Sequence, residues 1–509
     1  MFVQDGLERH ASERPDKVAL VCCGRRLTYS EINRMADRLA SALKSRGLKR
    51  GDRVVIFLPN SIEAVVGIYA ILKAGGVFVP INYSTKFDKL SYIVENCQAA
   101  GLLTDARAAA QGTVSKLAAA HPQLRIAVIA GGSSANADGI GISFDAIQET
   151  FAPTRPARHC IDLDLACLVY TSGSTGEPKG VMCDHGNVVF AAASIISYLE
   201  NTEKDVVIGV LPLSFDYGLY QLLMTFFFGG TLVLESTFAF PAAILRLVGE
   251  ERVTGLPGVP TIFAALLQMR LSEFNLSSLR YITNTAAALP ASHIAQLRAA
   301  FPGVKVYSMY GLTETKRTLY LPPEQLDARP GSVGIAIPGT EVWLEDAEGG
   351  KLGPNSVGEL VVRGRHVMRG YWGATAATEE RFPPGPLPGE RVCRTGDLFR
   401  MDSEGYMYFV GRKDDIIKTR GEKVSPKEVE NVLHDMDGVF EAAVVGMPDS
   451  ILGQAIKAVL VADTSRVTKA AVMAHCRARL EDFMVPKAIE FRDELPKTSS
   501  GKVLKRGLA

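Results

Sequence analysis

Hydrophobic residues recur in turn at helix-like and strand-like spacings through the first part of the chain. Residues 28–47 carry apolar side chains at helical intervals, and Thr28 and Glu31 have the spacing of a capping box. After this helix, the apolar runs "RVVIFLP" and "VFVPI" flank the segment "SIEAVVGIYAILKAGG". A strand, a helix and a strand in that order are typical of a parallel sheet.

The same alternation returns later in the chain. Strands are predicted at "VVIGVLP", "TLVLE", "LRYITNT" and "KVYSMYG", and helices at "YGLYQLLMTFFFGG", "PAAILRLVGEE" and residues 290–300. Between the two blocks, residues 106–120 are rich in alanine, and "AGGSSANADG" at 130–139 favours a surface loop. The pattern therefore predicts an α/β fold with two doubly wound sheets.

Beyond about residue 330 the pattern changes to short strands separated by Gly, Pro and Asp, which predicts a small β-rich part over about 330–411. After Gly411, strands and helices mix again over about 100 residues, the usual size of a small α+β domain. The charged junction "GRKDD", residues 411–415, is the expected boundary. We predict an N-terminal domain of residues 1–411 and a mobile C-terminal lid domain of residues 412–509.

Composition narrows the class of protein. The 509 residues are 47% hydrophobic and 22% charged with a net charge of +1, so no broad basic surface for nucleic acid is expected. The most apolar region, "LYQLLMTFFFGGTLVL", is interrupted by polar residues and a Gly-Gly pair, so no membrane span is expected. The eight cysteines contain no CxxC pair and the histidines no HExxH spacing, which argues against zinc. We expect a soluble cytoplasmic protein with reduced cysteines.

The stretch "YTSGSTGEPKG", residues 170–180, breaks the apolar pattern with a run of Ser, Thr and Gly before a lysine. It lies between a buried strand and an apolar segment that reads as a helix. Such a loop is either a linker or a place where bare backbone N–H groups approach a phosphate. It is not a Walker A loop, because GxxxxGK[ST] is absent.

Four further segments accompany this loop along the chain. They are "MYGLTET" at 309–315, "GELVVRG" with "GYW", the block 394–430 that begins "RTGDLFR", and "LPKTSSGKVLKR" at 495–506. Together with residues 170–180, and in this order, they resemble the AMP-forming adenylating enzymes, which include acyl-CoA synthetases, firefly-luciferase-like enzymes and the adenylation domains of peptide synthetases. The resemblance runs from about residue 7 to the end.

The resemblance implies that ATP is a substrate and that its β- and γ-phosphates are held by Thr171, Ser172, Gly173, Ser174, Thr175, Gly176 and Lys179. Cationic and hydrogen-bonding groups suit this place because adenylation concentrates negative charge there. The same loop is expected to act as a mobile clamp.

For the rest of the nucleotide, the resemblance implies stacking of adenine on Tyr310 and ribose binding by Asp397, with Arg412 nearby. Catalytic roles fall on Thr313 at the α-phosphate, on Glu314 as a ligand of Mg²⁺, and on Lys502 at the attacking carboxylate. A carboxylate suits Mg²⁺ because this hard cation prefers oxygen ligands.

Members of this family carry out a second half-reaction after their C-terminal domain rotates. Asp414 stands at the hinge position, where a large change of backbone angles must be absorbed. Rotation would withdraw Lys502 and bring Lys418 and Gly421 to the active site. CoA is the expected acceptor, and an amine or the thiol of a separate carrier protein is the alternative.

The acyl pocket is predicted around Phe215, Asp216, Tyr217, Asn284, Thr285 and Ala286. Asp216 stands where amino-acid-activating relatives hold an α-amino group, but it could equally bond local backbone, Tyr217 or Asn284. A buried carboxylate needs some partner. Lys316 and Arg317 form a local salt bridge or meet an anionic group, and the sequence does not choose between these. The carboxylic acid itself stays unidentified.

Overall fold

The computed structural model of the chain describes residues 1–132, 139–172, 177–285, 289–419, 422–449, 452–498, 503–505 and 507–508. Within these residues the chain forms four β-sheets, of nine, seven, five and five strands. The two larger sheets are mainly parallel and the two smaller ones mainly antiparallel.

The N-terminal segment consists of α1 (Asp5–Glu13), β1 (Val18–Cys22), β2 (Arg25–Thr28) and α2 (Tyr29–Ser45). The capping box predicted for α2 is present: the Glu31 amide donates to Thr28 Oγ1 at 3.2 Å, and the Thr28 amide donates to Glu31 Oε2 at 2.8 Å. These bonds satisfy amides that an uncapped helix would leave open, which explains why α2 begins at residue 29.

The seven-stranded sheet has the order β7-β6-β5-β3-β4-β8-β9. Its elements are β3 (Arg53–Ile56), α3 (Ile62–Lys73), β4 (Val77–Pro80), α4 (Phe87–Asn96), β5 (Ala99–Asp105), α5 (Ala106–Ala110), α6 (Thr113–Ala120), β6 (Ile126–Ala130), β7 (Gly141–Ser143), α7 (Phe144–Thr150), β8 (Leu165–Ser172), β9 (Pro178–Asp184) and α8 (His185–Leu199). The alanine-rich stretch thus forms two short helices. Most of the predicted surface loop at 130–139 lies outside the described residues.

The nine-stranded sheet has the order β16-β15-β14-β13-β12-β10-β11-β1-β2. Its further elements are β10 (Val206–Gly209), α9 (Asp216–Phe228), β11 (Thr231–Leu234), α10 (Pro241–Glu250), β12 (Gly255–Gly258), α11 (Pro260–Leu267), β13 (Tyr281–Asn284), α12 (Ala291–Ala300), β14 (Lys305–Tyr310), β15 (Leu319–Leu321) and β16 (Ile335–Ala336), with 3₁₀ turns at Leu271–Glu273 and Pro323–Gln325. Strand β1 pairs in parallel with β11, so the N-terminal segment completes the second sheet rather than the first.

The β-rich part is an antiparallel sheet in the order β18-β17-β19-β20-β21. It is built from β17 (Thr340–Glu345), β18 (Lys351–Leu352), β19 (Val357–Gly364), β20 (Cys393–Met401) and β21 (Met407–Arg412), with α13 (Thr375–Arg381) before β20. Its buried side chains join the hydrophobic core of the two large sheets, since that core runs from Val3 to Met407.

The C-terminal part has its own sheet and its own core. It contains β22 (Ile417–Thr419), β23 (Glu422–Val424), α14 (Pro426–His434), β24 (Val439–Asp449), β25 (Gly453–Ala462), α15 (Lys469–Arg477) and β26 (Ala488–Phe491). The core between the sheet and these helices extends from Ile417 to Ile489. A separate core is what a small domain needs to fold as a unit, and the boundary at residues 411 and 412 stays a prediction.

The predicted fold class, α/β with large N-terminal sheets and a smaller C-terminal domain, is confirmed. One local interpretation holds for only part of its segment. After the loop, residues 181–184 belong to strand β9 (Pro178–Asp184), and helix α8 begins at His185 with Asp184 as its N-cap. Among the described residues no helix is both long and apolar enough to cross a membrane.

The cap of α2 gives a first prediction. Thr28→Ala removes the oxygen that accepts from the Glu31 amide, which costs about 1 kcal/mol of local stability. Hydrogen exchange of the first-turn amides of α2 should therefore speed up by about fivefold. Thr375→Ala is the control, because this exposed residue begins α13 behind Ala374, a residue without a side-chain cap. Equal exchange in wild type and Thr28→Ala would contradict the role of the cap.

Candidate functional site

The candidate site lies where loops leave the carboxyl ends of parallel strands. Strand β14 ends at Tyr310 and the chain returns through β15, whose Leu319 pairs with Tyr310, so residues 311–318 form the connecting loop. Helix α9 begins at Asp216, after the end of β10, and β13 ends at Asn284. Since β10, β12, β13 and β14 run parallel to one another, these loops share one edge of the sheet.

Tyr310 and Asp397, predicted to bind the adenine and the ribose, are joined directly. The Tyr310 hydroxyl donates to Asp397 Oδ2 at 2.6 Å, and the Tyr310 ring packs edge-on against Phe399 at 4.8 Å between centroids. Arg412 Nε lies 3.5 Å from Asp397 Oδ1, because β20 and β21 place residues 397 and 412 opposite each other. The three residues thus form one cluster, and Asp397 is oriented by a hydroxyl donor and a guanidinium.

Glu314 is buried and is held by a residue to which the sequence assigned no role. The Tyr371 hydroxyl donates to Glu314 Oε1 at 2.6 Å. Burial and the neighbouring Glu314 raise the pKa of the Tyr371 hydroxyl, so it stays protonated and donates. Tyr371 belongs to the motif "GYW", which is fixed by backbone bonds to β9, and Lys179 Nζ lies 5.5 Å from the centre of the Tyr371 ring. Lys179, Tyr371 and Glu314 are therefore in one chain of contacts.

Arg381, at the end of α13, is a second residue that sequence reasoning missed. Burial disfavours its charge, but the acidic groups around it, Glu314 and Asp397 among them, raise the pKa of the guanidinium. The guanidinium lies so close to Gly396 that a Cβ there would come within 2.8 Å of Arg381 Nη1. Arg381 therefore links the Glu314 side of the site to the Asp397 side. No motif marked it, because its role depends on the packing of α13 against β20.

The two strands that flank the predicted phosphate loop pair with each other. Strands β8 and β9 are antiparallel, with Thr171 opposite Lys179 and Ser172 opposite Pro178. Both Thr171 and Lys179 are half-buried. The predicted contacts of Gly173, Ser174, Thr175 and Gly176, and the expected mobility of the clamp, fall outside the described residues. On β9, Lys179 lies next to Tyr371 and so beside the Glu314–Tyr371 pair.

The residues predicted for the acyl pocket come together, apart from Ala286, which lies outside the described residues. The Tyr217 hydroxyl bonds Thr283 on β13, at 2.8 Å to the carbonyl oxygen and 2.6 Å to Oγ1. Phe215, the residue before α9, packs edge-on against Tyr217 at 6.4 Å between centroids. Asn284 and Thr285 follow on the same strand end and are buried.

Asp216 has a partner that differs from the local alternatives considered for it. Lys316 Nζ lies 2.6 Å from Asp216 Oδ1, and Arg317 Nη1 lies 3.8 Å from Oδ2. Burial alone would lower the pKa of Lys316, but the attraction of Asp216 raises it, so the ammonium stays charged. Of the two readings of Lys316, the salt bridge is therefore the one that the structure contains.

Only some of the residues predicted for the two half-reactions lie in the part of the chain that the structure describes. Lys502 and Gly421 lie outside the described residues. Asp414 is exposed in the turn after β21, as a hinge residue needs to be. Lys418 is exposed on β22, and its amide donates to Gln454 Oε1 at 2.8 Å. Thr313 is half-buried in the loop 311–318.

The donor set fits Mg²⁺ bound mainly by a nucleotide. Among the described residues no group of three or more His, Cys, Asp or Glu side chains could hold a metal by itself. Glu314 supplies one buried carboxylate whose other contact is the Tyr371 hydroxyl. Mg²⁺ commonly takes one or two carboxylates and completes its octahedron with phosphate oxygens and water.

Comparison with known proteins shows the family to which the chain belongs. The model of the AMP-binding enzyme family matches residues 7–372, and that of the AMP-binding enzyme C-terminal domain matches residues 428–502. A feruloyl-CoA synthase of Amycolatopsis sp is 36% identical over 502 residues, which are 98% of this chain and 96% of that protein.

Two solved structures share the fold over nearly the whole chain. The anthranilate CoA ligase AuaEII in complex with anthranoyl-AMP superposes with a TM-score of 0.90 at 28% identity, over 99% of this chain and 95% of that one. The O-succinylbenzoate coenzyme A synthetase MenE from Bacillus subtilis, with ATP and a magnesium ion, gives 0.85 at 28% identity, over 99% of both. With the family models spanning most of its length, this chain belongs to the family of AMP-binding enzymes, as an AMP-forming ligase of the acyl-CoA synthetase type.

Proposed function

We propose that this protein activates a carboxylic acid as acyl-AMP with release of pyrophosphate, and then transfers the acyl group to the thiol of CoA. The observation that carries the proposal is that Lys179, the loop with Tyr310 and Glu314, and Asp397 come from three separate parts of the chain and lie in adjoining contacts. Each suits a different part of MgATP: a cation for phosphates, a carboxylate for the metal, an aromatic ring for adenine and a carboxylate for the ribose diol.

In the first half-reaction, a carboxylate oxygen of the acid attacks the α-phosphorus of ATP, the bond to the bridging oxygen of the β-phosphate breaks, and pyrophosphate leaves. We assign Lys179 and the loop 171–176 to the leaving phosphates, and Thr313 and Lys502 to the charge that grows around the α-phosphorus. Mg²⁺, when bound, neutralises phosphate charge, and Glu314 is the residue that would hold it. Tyr371 orients Glu314 and Arg381 balances its charge.

In the second half-reaction, the thiol sulfur attacks the acyl carbonyl carbon, AMP leaves, and the thiol proton passes to solvent. We propose that rotation at Asp414 replaces Lys502 at the site by the face that carries Lys418 and Gly421. CoA is the proposed acceptor because the relatives with full-length similarity are named as CoA synthases and ligases.

Two assays test this function directly. ATP–pyrophosphate exchange over a panel of carboxylic acids tests acyl-AMP formation, and mass spectrometry of the products with CoA, with an amine and with a phosphopantetheinyl carrier protein identifies the acceptor. We expect acid-dependent exchange and an acyl-CoA. Absence of exchange with every acid would refute the ligase, whereas an amide or an acyl carrier protein as the only product would refute CoA as the acceptor.

Tyr371→Phe tests the support of Glu314. Loss of the 2.6 Å hydrogen bond leaves the carboxylate less well oriented, so the Mg²⁺ concentration for half-maximal adenylation should rise by roughly 10-fold to 100-fold. Tyr83→Phe is the matched control, because its hydroxyl also donates to a carboxylate, Asp105, at 2.8 Å but away from this site. The same Mg²⁺ dependence in Tyr371→Phe and wild type would argue against the assignment.

Lys502→Ala separates the half-reactions. Without this ammonium the charge at the α-phosphorus is not stabilised, so adenylation should fall by about 100-fold or more. Thioester formation from synthetic acyl-AMP and CoA should persist, because that step does not use Lys502. Lys469→Ala, an exposed lysine at the start of α15, should leave both steps intact. An equal loss of both activities would rule out a role confined to the first step.

Asp414→Pro tests the hinge, because it should block the second half-reaction and spare the first. Proline fixes φ near −65° and so prevents the backbone change that rotation needs. Acyl-AMP should form and accumulate while thioester formation falls, and Asp414→Ala, which leaves φ free, should behave like wild type. Rapid-quench measurement of bound acyl-AMP distinguishes the two variants. Normal thioester formation by Asp414→Pro would place the hinge elsewhere.

A further inference from the structure

The loop 311–318 is shaped so that two consecutive cations point inward. Gly311 packs so tightly on the loop that a Cβ there would lie 1.8 Å from the carbonyl oxygen of Lys316. Lys316 adopts a φ of +59°, a left-handed conformation that is uncommon for a residue with a side chain. As a result the side chains of Lys316 and Arg317 are only 0% and 4% exposed. Strained backbone of this kind persists where the surrounding structure enforces it.

The first of these cations is already neutralised. Lys316 Nζ lies 2.6 Å from Asp216 Oδ1 and 5.6 Å from the centre of the Tyr220 ring. This ion pair occupies the carboxylate that would otherwise be free for a substrate ammonium group. Asp216 therefore serves to balance Lys316, and an amino group of the substrate would meet a second positive charge beside it.

Arg317, the second cation, makes no ion pair as close as that of Lys316 among the described residues. The Arg317 guanidinium stacks on Tyr217 at 4.4 Å from the ring centre, and its Nη1 is 3.8 Å from Asp216 Oδ2. Its Nε and Nη2 are buried and have no hydrogen-bond partner within the described part of the chain. One carboxylate thus faces two cations. Burying unpaired N–H groups of a charged side chain is costly, so the site calls for an anion.

The two atoms of Arg317 without a described partner, Nε and Nη2, are the ones through which two other arginines of this protein bind carboxylates. Arg50 binds Asp164 through Nε and Nη2 at 2.7 and 2.8 Å, and Arg280 binds Asp205 through the same two atoms at 3.1 and 3.0 Å. This pair of parallel N–H groups matches the two oxygens of a carboxylate. The Tyr217 ring, itself bonded to Thr283, holds the guanidinium in place.

We propose that the Nε–Nη2 edge of Arg317 binds a second carboxylate of the acid substrate, so that this enzyme selects dicarboxylic acids. The inference rests on the proposed ligase function and specifies its substrate class. The carboxylate that becomes the acyl phosphate lies toward Thr313 and Glu314, and the other, which does not react, pairs with Arg317 in the pocket lined by Phe215 and Tyr217. A neutral end group would leave the guanidinium unpaired.

Matched substrates test the proposal on the wild-type enzyme. A series of dicarboxylic acids of increasing length is compared with the corresponding half-amides, which have the same shape but a neutral end, and with the monocarboxylic analogues, by kcat/KM in acid-dependent pyrophosphate release. At the best length, the diacid should exceed its half-amide on the order of 100-fold. A half-amide or monocarboxylic acid that is used as well as the diacid at every length overturns the proposal.

Three variants assign the preference to one residue. Arg317→Gln should reduce the ratio of diacid to half-amide to near one while the KM for ATP stays unchanged. Arg317→Lys should retain part of the ratio, because the charge remains but the fork is lost. Arg50→Gln, which removes an exposed arginine that binds Asp164 through the same two atoms, should keep the wild-type ratio. An unchanged ratio in Arg317→Gln overturns the proposal, and if this variant does not fold, the wild-type comparison still decides.

Failure of this inference is distinguishable from failure of the proposed function. Efficient activation of monocarboxylic acids without preference for any diacid refutes the role of Arg317 and leaves the ligase intact. A lack of acid-dependent pyrophosphate release with every acid refutes both.

Discussion

The site depends on one constraint of parallel sheets: strands joined by helical crossovers present all their carboxyl ends at the same edge. In this chain the constraint brings the start of α9, the end of β13 and the loop after β14 together, although at least one helix separates each pair along the sequence. The hairpin of β8 and β9 and the antiparallel sheet then add Lys179, Tyr371 and Asp397 from outside the nine-stranded sheet. The packing of these elements thus brings polar and charged side chains from distant parts of the chain together.

Within that arrangement, buried charges are placed by partners that are themselves buried. Tyr371 donates to Glu314, Tyr310 donates to Asp397, and Arg381 balances both carboxylates. Preorganised groups of this kind act without reorganisation when charge develops in a reaction. Around the residues predicted for the acyl pocket the excess charge is positive, because Lys316 and Arg317 both face the carboxylate of Asp216. The cluster around Glu314 and Asp397 thus presents carboxylates, and the cluster around Asp216 carries an excess of positive charge.

The sequence predicted the long elements well, because α2 has a capping box and α14 has Ser425 before Pro426, both of which are local signals. It did not separate residues 181–184, which belong to β9, from helix α8, because a short apolar run has no period that distinguishes a strand from the beginning of a helix. The pairing of β1 with β11 joins segments about 200 residues apart, so no local pattern predicts it. The motif "GYW" contains Tyr371 but assigned it no role, and no motif contains Arg381, because both roles arise from contacts with residues far away in sequence.

By itself the sequence determined the family and the α/β class, since these depend on local patterns and on motif order. Only the tertiary structure decided what Asp216 and Lys316 do. The sequence left the aspartate open to an amino group or local backbone, and the lysine open to a salt bridge or an anion. In the folded loop, residue 316 has a left-handed backbone and its lysine pairs with Asp216. Within the described part of the chain, Nε and Nη2 of Arg317 have no hydrogen-bond partner. Charge pairing depends on distances between side chains, and those distances exist only once the two loops meet in the folded chain.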